Sequence, residues 1–256
     1  MKRGFTLAEV LITLGVIGVV AAITMPTLIK NYQKHVWVNQ LKKSVSTIEN
    51  GFKLAMANDE VMELENTKLI QSMGESGSRD NEAFFNEFKK YFKVIKIRES
   101  GFDEMEGYKT LSGVDMSGLN DAISNGIYFA DGSLLIMKLT GDVSKLSPVM
   151  CNNAKSLGGN LCEEINTAYF DIDVNGDKKP NQFGRDRFGF ILGNNGRLYP
   201  IAGKDNALFI EQKDLAINSN YWKASPFYNC NTSGGGMYNG LSCAARIMEN
   251  GWKMDY

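Results

Sequence analysis

The stretch Met1-Lys-Arg-Gly-Phe-Thr-Leu-Ala-Glu-Val-Leu-Ile-Thr-Leu-Gly-Val-Ile-Gly-Val-Val-Ala-Ala-Ile-Thr-Met-Pro-Thr-Leu-Ile-Lys30 decides how the chain is read. From Phe5 to Ile29 its one charged side chain is Glu9. A helix of about 20 apolar residues crosses the hydrocarbon core of a bilayer, so the run is long enough to span. Lys2 and Arg3 precede it, and a basic flank on a short tail favours leaving that tail in the cytoplasm. Everything after Ile29 then belongs outside. Glu9 does not fit a passive anchor, because an ionised carboxylate in lipid is costly and needs a partner or a task.

The segment Lys2-Arg3-Gly4-Phe5-Thr6-Leu7-Ala8-Glu9-Val10-Leu11-Ile12 resembles the class III signal of type IV pilins and type II secretion pseudopilins. The resemblance implies that a prepilin peptidase cuts after Gly4 and that Phe5 becomes the N-methylated first residue. It also implies that the Glu9 carboxylate pairs with the Phe5 amine of a neighbouring subunit during assembly. Physical chemistry supports such a pair, since a free α-amine is largely cationic at neutral pH and opposite charges in lipid are poorly screened. Two other readings compete. A Sec signal needs an A-x-A-like cleavage site, for which Val20-Ala21-Ala22 is a poor candidate. An uncleaved anchor leaves Glu9 unpaired.

Of 256 residues about 200 follow the anchor, enough for one globular domain. The formal charge of −1 gives no basic footprint of a nucleic-acid binder. Cys151, Cys162, Cys230 and Cys243 all lie in the exported part, where an even count reads as disulfides with three possible connectivities. Pairing Cys151 with Cys162 and Cys230 with Cys243 is expected, because each pair brackets a short Gly- and Asn-rich loop. Each closure is worth about 3 kcal/mol in the chain-entropy model. Zinc is disfavoured, because there is no C-x-x-C pair and His35, the only histidine, stands apart near the membrane.

Beyond Pro26 the apolar spacing continues through Leu28, Tyr32, Val36, Leu41, Val45, Ile48, Phe52 and Ala55, with Lys30, Lys34, Gln40, Lys42, Lys43 and Glu49 mostly between them. The spacing predicts one helix from Phe5 to about Asn58, kinked at Pro26. Residues 73–81 read as a Gly/Ser-rich linker. Gly74-Glu75-Ser76-Gly77-Ser78 fails as a nucleophile elbow, since Ser78 replaces the last Gly and no strand precedes it. Asp80 or Asn81 is expected to cap a helix from Glu82 to Phe92, with Phe84, Phe85, Phe88 and Phe92 facing a core.

Strand signals follow. Residues 127–130 and 133–137 flank Asp131-Gly132, and residues 188–192 and 197–201 flank Asn195-Gly196; both read as hairpins. With residues 169–174 they make an antiparallel sheet of four to six strands. Residues 243–250 read as a short helix. The expected fold is α+β, a long N-terminal helix, transmembrane and then amphipathic, packed on an antiparallel sheet as in pilins. Its parts are a leader (1–4), a transmembrane and assembly helix (5–29), the amphipathic continuation (30–58) and an exported globular domain (59–256).

Residues 171–188 form an acidic loop whose opening, Asp171-Ile-Asp173-Val-Asn175-Gly176, matches the first half of an EF-hand loop. Asp171, Asp173, Asn175, Asp177 and Asp186 are the candidate ligands for calcium, the one cofactor the sequence raises. Gln182 stands where the closing Glu belongs and Pro180 argues against a flanking helix. The alternative is an acidic turn on Asn175-Gly176, offset by Lys178, Lys179, Arg185 and Arg187.

No nucleophile, metal or phosphate-cradling constellation marks an enzyme. The expected role is a non-enzymatic subunit processed at Gly4 and Phe5 and assembled through Phe5 and Glu9. The filament is a type II secretion pseudopilus or a type IV pilus. Its partners are the prepilin peptidase, other pilin or pseudopilin subunits, the inner-membrane assembly platform and the membrane. The chain is expected to sit single-pass in a bacterial inner membrane with its C-terminal domain outside. The competing role is an anchored or secreted, calcium-dependent binding module that never polymerises.

Overall fold

Helix α1 runs from Leu7 to Asn58, and its helical hydrogen bonding continues past Pro26. It belongs to a computed structural model that describes residues 6–72, 82–98, 106–117, 124–138, 168–201, 229–236 and 239–256. The chain divides into two compact units, Met1–Val36 and Trp37–Tyr256, and α1 contributes to both. In the first unit the helix is bare, with Leu7, Leu11, Ile12, Leu14, Ile17 and Ile23 each more than half exposed. Leu7–Asn58 is the one described helix long and apolar enough to cross a membrane.

In the second unit the helix has a buried stripe: Trp37, Val38, Leu41, Val45, Ile48, Phe52 and Ala55, at three- and four-residue steps with Trp37 and Val38 adjacent. The stripe packs on a six-stranded antiparallel sheet whose spatial order follows the chain order: β1 (Val94–Arg98), β2 (Ser124–Phe129), β3 (Leu134–Lys138), β4 (Ala168–Asp173), β5 (Arg187–Leu192) and β6 (Leu198–Pro200). Period-two alternation sends Ile127, Phe129, Leu135, Met137, Phe170, Ile172, Phe188 and Phe190 into the same core as the stripe. Tyr128, Leu134 and Ile136 form a separate cluster. Both predicted hairpins form, with Gly132 (φ 89°) and Gly196 (φ 72°) taking the left-handed conformation their turns require.

Side chains and loops tie α1 to the sheet. Glu49 Oε1 accepts from the Leu198 amide at 2.9 Å, and Lys43 pairs with Asp131 in the β2–β3 turn at 3.4 Å. Beyond the helix lie a 3-10 turn, Leu64–Asn66, and a single helical turn α2, Lys68–Gln71. Leu64 and Glu65 donate to the backbone and side chain of Asn194. Helix α3, Glu82–Tyr91, buries Phe84, Phe85 and Phe88; with Phe52, Phe92, Phe129 and Phe170 these rings form one aromatic cluster. Gly51 makes room for it, since a Cβ there would stand 2.1 Å from Phe92 Cε1.

The short helix α4, Cys243–Glu249, buries Cys243, Ala244, Ala245 and Ile247, and a disulfide joins Cys243 to Cys230 across a sequence separation of 13. Cys151 and Cys162 lie outside the described residues, as do Asp80, Asn81 and the linker from residue 73.

Candidate functional site

The N-terminus of α1 carries the first candidate. Thr6 precedes the helix, and both its amide and its hydroxyl donate to Glu9 Oε2 at 2.8 Å. The Glu9 amide in turn donates to Thr6 Oγ1 at 3.3 Å. This reciprocal arrangement is a capping box, T-x-x-E, which satisfies amides that the first helical turn leaves without partners. Glu9 is therefore held by neutral donors on its own chain while it stands on an uncovered apolar helix. Gly4 and Phe5 lie outside the described residues. From the sequence Thr6 reads as part of the signal and not as a cap, although Thr6-Leu-Ala-Glu9 is itself a capping signature.

The second candidate is the acidic loop after β4. Asp171 and Asp173 lie on the sheet face opposite Phe170 and Ile172. Asp171 Oδ2 accepts from Arg187 Nε at 2.9 Å and Nη2 at 2.6 Å, with both residues buried. Asp173 accepts from the Tyr108 hydroxyl at 2.6 Å and from the Asn175 amide at 3.0 Å. Asp186 accepts from the amides of Asn181 (2.9 Å) and Gln182 (2.7 Å), which closes the loop on itself. Asp177 points outward to Arg98 at 3.1 Å and to the Tyr128 hydroxyl at 2.6 Å. The Asn175 side-chain amide donates to the Lys179 carbonyl at 3.4 Å.

Calcium takes six to eight oxygens around one point. Here the carboxylate oxygens of Asp173, Asp177 and Asp186 and one of Asp171 already accept from protein donors. Among the described residues no three acidic, histidine or cysteine side chains are grouped to hold a metal ion. Asp171 Oδ1, Asn175 Oδ1 and Asn181 Oδ1 are buried without a protein partner. Among the five candidate residues this leaves Asp171 Oδ1 and Asn175 Oδ1 as the buried acceptors that no protein donor occupies. Arg187 is one of the four basic residues that the sequence sets against this loop, whereas Tyr108, Arg98 and Tyr128, which also organise the region, carry no signal in the sequence that marks them as its partners.

Burial raises the carboxyl of Asp173 well above the usual range, and the nearby charge of Asp186 raises it further. Burial likewise lifts Asp186 to about 6, against the lowering effect of its amide donors. A carboxyl whose pKa is higher folded than unfolded binds more protons in the native state between the two values, so stability falls as pH rises through that window. The window runs from about 4, the unfolded value, to 6 and beyond. Hydrogen bonds hold Asp115 below the ordinary value, chiefly those from Ser117, and Asp59 is lowered chiefly by the Lys68 amide; their contributions are lost only under more acid conditions. The melting temperature is expected to be several degrees higher at pH 5 than at pH 7.5, with the difference reduced in Asp186→Asn. Equal melting temperatures at the two pH values would contradict the buried pair.

A bare N-terminal helix stretch with a capped carboxylate in its first turn thus precedes an α+β unit of helix on sheet. Residues 1–25 match the model of the prokaryotic N-terminal methylation motif, which marks the chain as a type IV pilin-like prepilin. Residues 27–256 match a family of unknown function, DUF6613, and the chain belongs to that family. Comparison with curated proteins and with solved structures gave no match.

Proposed function

We propose that the chain is a structural subunit, cut after Gly4 by a prepilin peptidase and polymerised through α1 into a type II secretion pseudopilus or a type IV pilus. In this reading residues 1–4 are the leader, 5–29 the membrane and assembly helix, 30–58 its amphipathic continuation and 59–256 the exported domain. The N-terminus faces the cytoplasm of a bacterial inner membrane before the subunit enters the filament. Other pilin subunits and an assembly platform are its partners. The observation that carries the proposal is Glu9, capped by Thr6 and with no cationic partner among the described residues, on an apolar stretch of α1 whose side chains the described residues leave exposed. Lipid covers such a surface in the membrane, and neighbouring copies of the helix cover it in a filament.

Mass spectrometry of the mature protein from its native membrane tests this directly. The expected first residue is N-methylated Phe5. A chain beginning near Ile23 would identify a Sec substrate, and an intact Met1 an uncleaved anchor; either result overturns the proposal.

A further inference from the structure

We infer that the guanidinium of Arg187 is the built-in cation of the acidic loop, taking the place that a divalent metal holds in loops of similar sequence. Arg187 is the largest fully buried side chain among the described residues, at 0 % exposure. It opens β5 directly across from Asp173 and reaches diagonally to Asp171, so strand register brings it between two of the loop's carboxylates. Nε and Nη2 both donate to Asp171 Oδ2.

The surroundings select guanidinium over a hard ion. Arg187 Cζ lies 4.5 Å from the centroid of the Tyr108 ring and 4.7 Å from that of Phe183. Aromatic faces attract a planar, weakly hydrated guanidinium, whereas calcium requires oxygen ligands. Tyr108 serves twice, with its ring against Arg187 and its hydroxyl donating to Asp173. The loop places its own backbone amides on Asp186, the position from which a late metal ligand was expected. Cation, aromatic walls and acceptors thus all come from the chain itself. The sheet face opposite α1 is then closed without any ion from outside, whether or not the subunit polymerises.

The test compares melting of the full-length chain in detergent with EDTA and with millimolar calcium chloride. Wild type is expected to shift by less than roughly 1 °C, because a ligand stabilises only the state that binds it. Arg187→Met removes the cation and leaves Asp171 uncompensated; breaking such a buried pair lowers the melting temperature by roughly 10 °C. Calcium is expected to restore part of that loss. A wild-type rise of about 5 °C or more with calcium would assign the loop to the metal and overturn the inference. An Arg187→Met chain that melts like wild type would overturn it as well. If Arg187→Met does not fold, calorimetric titration of wild type with calcium chloride decides: no saturable heat is expected, and a saturable one at one ion per chain sinks the idea.

Discussion

Phe52→Ala is expected to destabilise the globular unit by about 3–5 kcal/mol, the range for truncating a large buried ring without collapse of the site. For a domain of this size that corresponds to a drop of roughly 6–20 °C in melting temperature. Phe52 is 1 % exposed and sits on α1 where three elements meet. Its ring lies 5.2 Å from Phe92 and 6.4 Å from Phe88, both edge-on, and 6.2 Å from Phe170 of β4 in a stacked arrangement. Removing it opens a cavity between α1, α3 and the sheet that none of these rigid rings fills without moving its own backbone. Leu54→Ala is the control, because Leu54 is on the same helix but 55 % exposed, and substitutions of that kind stay within about 0.5 kcal/mol. Urea or thermal unfolding of the full chain in detergent measures both. A Phe52→Ala loss no larger than that of Leu54→Ala would mean that the aromatic cluster is not the joint between helix and sheet.

The long helix was legible because its signal is one-dimensional: a run with one charge, then apolar residues at helical spacing. Val45, Ile48, Phe52 and Ala55 fall on the buried stripe as their spacing predicts. Leu28 and Tyr32 share that spacing yet are exposed, because burial depends on where the sheet begins to cover the helix and spacing carries no such information. The hairpins were legible through Asp131-Gly132 and Asn195-Gly196, whose glycines supply a backbone conformation other residues resist. Strand β1 was not seen. Its pairing with β2 slips between Val94 and Lys96, so its side chains break strict alternation, and exposed Ile95 sits at the irregularity.

The acidic loop shows a deeper limit. Its carboxylates are visible as an EF-hand-like opening, and Arg187 only as one of four basic residues that offset them. The pairing of Asp171 with Arg187 spans 16 residues and exists only because β4 and β5 align Asp173 with Arg187. Register is a property of two strands together, so a motif read along one of them does not say which carboxylate the arginine meets.

Glu9→Gln separates the capping role of the carboxylate from the charge-pairing role proposed for it in assembly. Gln is the other residue a capping box accepts at this position, so its amide oxygen retains acceptance from the Thr6 amide and hydroxyl, and the helix start is preserved. The negative charge is lost. If Glu9 serves only as a cap, the variant assembles like wild type. If it serves as the charge that meets the terminal amine of an incoming neighbour, the variant is still cleaved and still enters the membrane, more favourably than before because no ion is carried into lipid, yet fails to leave it for the filament. Filament incorporation, read by shearing and immunoblotting against the membrane-retained pool, is expected to fall at least about tenfold, a loss that one ion pair in a weakly screening medium accounts for. Thr6→Val gives the opposite combination, keeping the charge while removing the hydroxyl donor, and is expected to retain more incorporation than Glu9→Gln. Should Glu9→Gln assemble normally while Thr6→Val fails, the cap and not the charge is what the filament requires.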